Sequence, residues 1–127
     1  MKTPFPDPLL LEDAGMRGGS RVFRLAKSFS CRTSYGMVIV PVGFETDGAS
    51  IPKIFHSIIG PFGGYFPAAL LHDFLYSTES ATFYHFERED ADSLFLEAMF
   101  NLQVPWWTRH TIHAAVRAFG WRYYRKP

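Results

Sequence analysis

Three side chains in the middle of this sequence could do acid–base chemistry together. His72 and Asp73 lie in the apolar run Ala68-Ala-Leu-Leu-His-Asp-Phe-Leu-Tyr76, and Asp92 follows twenty positions later. Neighbours on a helix point about 100° apart, so His72 and Asp73 cannot face the same partner. Both are costly to bury among alanine, leucine and aromatic residues unless something pairs with them. An imidazole held by a carboxylate can remove a proton from water, and a second carboxylate turned elsewhere can hold a cation.

Helical spacing says which acid meets the histidine. In the segment 87–102, Asp92 shares a face with Phe95, Leu96 and Met99, whereas Asp90 lies with Glu97 and Asn101 on the side expected to face water. Asp92 is therefore the inward carboxylate, expected to accept a hydrogen bond from His72 and fix its tautomer. Tyr76, one turn after His72, would donate to Asp92 and complete the set. Asp73 turns toward Gly60-Pro-Phe-Gly-Gly64, and carbonyls of Gly60, Phe62 and Gly64 with a carboxylate would suit calcium. A histidine on a buried helix also serves as a satisfied core residue, and an inward aspartate as a brace. Ser50, in Thr46-Asp47-Gly48-Ala49-Ser50-Ile51-Pro52, reads as a helix N-cap before a first-turn proline and lacks the glycine-flanked elbow of a serine nucleophile. Asp47 is a turn residue and a weak metal candidate. His110 and His113 are two ligands at helical spacing, too few for a metal site.

The elements that must place these groups follow an α+β order. The span 1–127 reads as one domain, with an N-terminal arm or edge strand over 1–19, an antiparallel β meander over 20–48 and a helical part over 49–127. The meander rests on alternation from Arg21 and on the β-branched run Met37–Val40. About four helices are expected, over 51–59, 66–77, 87–102 and from Pro105 toward Tyr124. In the last, Ile112, Ala115, Val116, Phe119 and Tyr123 form the expected core stripe. Trp106, His110, His113, Arg117, Trp121 and Tyr124 form a basic, aromatic face suited to phosphate, a membrane interface or a protein partner. Net charge is +1, which gives no reason to expect nucleic acid. The single cysteine, Cys31, excludes an internal disulfide and reads as a small strand residue. The proline-rich start lacks a signal peptide and no apolar run reaches a membrane span, so synthesis in the cytoplasm with no evident export route is expected.

Phe44-Glu-Thr-Asp-Gly-Ala-Ser-Ile-Pro52, Ala68–Tyr76 and Ala91-Asp92 with Phe95, occurring in order, resemble a small family of unknown function common in tailed phages and prophages. More distantly, His-Asp-x-x-Tyr followed by Ala-Asp-x-x-Phe is similar to the phospholipase A2 core, especially its parvovirus capsid form. That resemblance implies a helix pair carrying His72 as general base, Asp73 and the glycine loop as calcium ligands, and Asp92 with Tyr76 as orienting groups. The loop Gly60–Gly64 departs from the usual calcium-loop pattern. The implied activity is phospholipid ester hydrolysis at a bacterial envelope. The alternatives are a non-catalytic phage structural, tail or assembly protein docking through its last helix and incorporated in the virion, and a prophage factor acting on a host protein.

Overall fold

A computed structural model of the chain describes residues 4–46 and 66–125, which belong to two compact units, 1–47 and 48–127. The first unit is built of antiparallel strands: β1 (Leu11–Arg17), β2 (Ser20–Leu25), β3 (Phe29–Thr33), β4 (Gly36–Val40) and the short β5 (Glu45–Thr46). Two hairpins organise it. The β1–β2 connection is Gly18-Gly19, with φ of +57° and +81°, the pair of left-handed residues that a two-residue hairpin turn demands. The β3–β4 turn closes with the Thr33 hydroxyl donating to the Gly36 carbonyl at 2.7 Å.

The expected meander is thus present, but its strands form two sheets. β2 lies between β1 and β5, while β3 and β4 pair with each other. Cross-strand pairs Phe29–Val40 and Cys31–Val38 place four buried side chains on one face of the second hairpin. The first sheet carries a row of ion pairs, Glu12–Arg24–Glu45–Arg17, partly exposed and of small energetic weight. The segment expected as an arm or edge strand contributes β1, an edge strand of that sheet.

The second unit contains three helices among the described residues: α1 (Phe66–Tyr76), α2 (Arg88–Asn101) and α3 (Trp106–Phe119). A further helix expected at 51–59 lies outside the described residues. α2 packs against both α1 and α3. The α2–α3 connection is compact: Gln103 takes a left-handed φ of +63°, and the amides of Gln103 and Val104 donate to the carbonyls of Phe100 and Met99, both at 3.0 Å. That pattern satisfies the last carbonyls of α2, and Pro105 then prevents continuation.

Candidate functional site: a buried His–Asp–Tyr–Arg cluster

α1 places His72 and Tyr76 one turn apart and is buried almost all round, with Ala68 to His72 and Phe74 to Tyr76 inside. Its final carbonyls are held by hydroxyls: Ser77 donates to Phe74 at 2.5 Å and Ser80 to Leu75 at 3.2 Å. α2 begins with Asp90 accepting from the Glu87 amide at 3.0 Å, so the outward acid expected to face water is half-buried and caps the helix. Two positions later Asp92 turns inward, fully buried with Phe95 and Met99.

The carboxylate collects donors from all three helices. His72 Nε2 lies 2.7 Å from Oδ1, and the Tyr76 hydroxyl donates to the same oxygen at 2.6 Å. Arg117 from α3 donates to Oδ2 at 2.6 Å, and Arg88 stands 3.7 Å from that oxygen. Burial alone would raise the Asp92 carboxyl, but hydrogen bonds from His72 and Tyr76, with the charges around it, hold it below the ordinary aspartate value. An ionised carboxylate only accepts, so His72 must carry its proton on Nε2. The imidazole is clamped between rings, with centroids 4.1 Å from Tyr76 and 4.5 Å from Phe95. Burial and the hydrogen bond to Asp92 push the Tyr76 hydroxyl well above its usual value, so it stays a donor. Among the described residues no buried side-chain nitrogen or oxygen lacks a partner.

Arg88 also donates to the carbonyls of Val116 and Arg117 at 3.1 and 3.2 Å, fastening the start of α2 to the last turn of α3. Next to that turn, Gly120 lies so close to Tyr76 that an added Cβ would sit 2.5 Å from its hydroxyl oxygen. Its φ is −65°, so the need for glycine here is one of space.

The expected trio His72, Tyr76 and Asp92 is brought together. Asp73 is half-buried on α1. Gly60, Phe62 and Gly64 lie outside the described residues, as do Asp47 and Ser50. Arg117, assigned by apolar spacing to the basic, aromatic face of the last helix, belongs to the cluster. The core stripe of α3 is Thr108, Ile112 and Val116, continued by Gly120, while Phe119 and Tyr123 are exposed. Arg88 was missed by the sequence reading, and the signal that could have found it is a cation four residues before Asp92. For Arg117 the only signal was the need for a positive charge beside a buried acid. His110 packs on the Trp106 ring, and His113 is half-buried, which lowers its pKa. Among the described residues no group of three or more histidine, cysteine, aspartate or glutamate side chains could hold a metal ion.

Fold and site together define an α+β protein whose helices converge on one buried carboxylate. The chain belongs to the family described as Protein of unknown function (DUF1353), whose pattern matches residues 23–116 and so includes His72, Tyr76, Arg88 and Asp92. It is similar to the uncharacterized protein y4jT of Sinorhizobium fredii (strain NBRC 101917 / NGR234), at 37% identity over 102 residues. The match covers 78% of this chain but only 29% of that relative. No solved structure matches.

Proposed function

We propose that this chain is a hydrolase-like domain of phage or prophage origin, in which His72 is the general base toward a phospholipid ester. The observation that carries this reading is the 2.7 Å contact from His72 Nε2 to Asp92, with Tyr76 on the same oxygen. A carboxylate in that position fixes the tautomer and favours the imidazolium that forms when the ring takes a proton from attacking water. Asp92 and Tyr76 are the positioning residues. Asp73 is the carboxylate that would hold calcium, and carbonyls of Gly60, Phe62 and Gly64, which lie outside the described residues, are the further oxygen ligands this reading requires. When bound, calcium would supply polarisation of the ester carbonyl.

One observation favours a second reading. The His72 ring is fully buried, and the charge of Asp92 is already matched by Arg117 and Arg88. A cluster so satisfied can serve as a brace, leaving the domain as a non-catalytic phage structural or assembly protein. Catalysis would require opening of the face of α1 around His72. Fatty-acid release from mixed phospholipid vesicles separates the two. The hydrolase reading expects turnover with calcium that is abolished by EDTA and by His72→Gln. Absence of turnover over a range of lipids, with a melting temperature unmoved by calcium, would leave the brace.

A further inference from the structure

The outward face of α3 has no acidic residue and presents Trp106 and Trp107 at its start, 67% and 64% exposed, with Trp121 just beyond its end, 58% exposed. Between them the exposed positions are His110, Thr111, Ala114 and Ala118, which leave the middle of the face low, and Phe119 at the helix end. Fourteen helical residues span about 20 Å, so indole rings mark both ends of a flat strip. The last acidic residue of the chain is Glu97, and after it come Arg109, Arg117, Arg122, Arg125 and Lys126. Arg117 is taken by Asp92, and half-buried Arg109 donates to the Val104 carbonyl at 3.1 Å and lies over Phe100 at 5.1 Å, whereas Arg122 is exposed and lies over the Trp121 ring at 5.5 Å.

We infer that this face docks on an anionic phospholipid bilayer, its indoles entering the headgroup–acyl boundary and the exposed Arg122 guanidinium meeting lipid phosphate. Indoles are amphipathic rings that settle at that depth. A charge count of one sign along more than two dozen residues complements an anionic surface and opposes a second copy of itself. The inference deepens the lipid reading above only in naming where the substrate surface would lie. Binding is read without turnover, so the two fail separately.

The test is co-sedimentation of the full chain with vesicles of phosphatidylcholine, and with vesicles of equal parts phosphatidylcholine and phosphatidylglycerol. The expected result is binding to the mixed vesicles, a blue shift of tryptophan fluorescence, and loss of most binding at about 0.5 M salt, where the screening length is only a few ångströms. The double variant Trp106→Ala, Trp107→Ala should partition at least about tenfold more weakly, and Arg122→Gln several-fold more weakly. Both variants should keep the wild-type melting temperature, since these side chains are exposed. The inference is overturned by equal sedimentation with and without phosphatidylglycerol, by an unweakened tryptophan variant, by preference for single-stranded DNA over the mixed vesicles, or by elution as a dimer that shields the tryptophans from quencher.

Discussion

Gly120→Ala should damage the buried cluster from a position that bears no functional group. The new Cβ would lie 2.5 Å from the Tyr76 hydroxyl oxygen and 3.2 Å from Cε2 and Cζ of that ring. The ring is held by Asp92 on one side and His72 on the other, so it cannot step aside without lengthening the bond to Asp92. Overpacking of this kind costs about 1–3 kcal/mol. A hydrogen bond to an ionised acceptor contributes about 1.5–3 kcal/mol, so its partial loss brings the total to about 2–4 kcal/mol. Tyr76→Phe removes the oxygen that the Cβ would strike but leaves the ring carbons at a tight 3.2 Å. In that background Gly120→Ala should therefore cost only about 1 kcal/mol, giving a coupling of about 1–3 kcal/mol between the two sites. Urea unfolding of wild type, both single variants and the double variant measures the cycle. Strict additivity, or a Gly120→Ala protein as stable as wild type, would refute the packing argument.

Further outcomes follow from the same geometry. Asp92→Asn leaves Arg117 facing an amide and should destabilise by about 3–5 kcal/mol, read as a lowered urea midpoint. Because the folded Asp92 carboxyl lies below its unfolded value of about 3.9, its contribution is complete above that pH and is lost as pH falls from there toward the folded value. Acid titration of stability in wild type against Asp92→Asn should show the difference shrinking over that range, and a constant difference would refute the assignment. Gln103→Gly relieves a left-handed φ and should raise stability by up to about 1 kcal/mol, whereas a lowered melting temperature would contradict the helix-end reading. Burial, with the nearby Asp7 charge, pushes the Cys31 thiol up to about 12, so a thiol reagent at neutral pH should label it only after unfolding.

Much of the helical unit was legible because burial follows a period of 3.6 residues. Asp92 and Asp90 were separated correctly as inward and outward carboxylates on spacing alone, although the outward one proved to be a cap. Arg117 was missed for a physical reason. An apolar stripe locates where Cβ atoms point, but a guanidinium at the end of a long stem reaches around the helix toward a charge the stripe does not reveal. Phe119 and Tyr123 were misassigned by the opposite error, since a large apolar residue near a helix end need not be inside. Gly120 takes the place on the core stripe because Tyr76 occupies the space there. In the strand unit, alternation located β3 and β4, and Gly18-Gly19 marked a turn. The pairing of β5 with β2 was not legible, because two residues carry no periodicity and their partner lies about twenty positions away.

The central claim is that Asp92 holds the His72 proton on Nε2. Long-range proton–nitrogen correlation spectra of the histidine rings at neutral pH, with His72→Gln to assign the signal, measure this directly. The account predicts a His72 ring protonated on Nε2, with that proton shifted far downfield by the carboxylate and released from that shift in Asp92→Asn. A His72 ring protonated on Nδ1 and bare on Nε2 would contradict it.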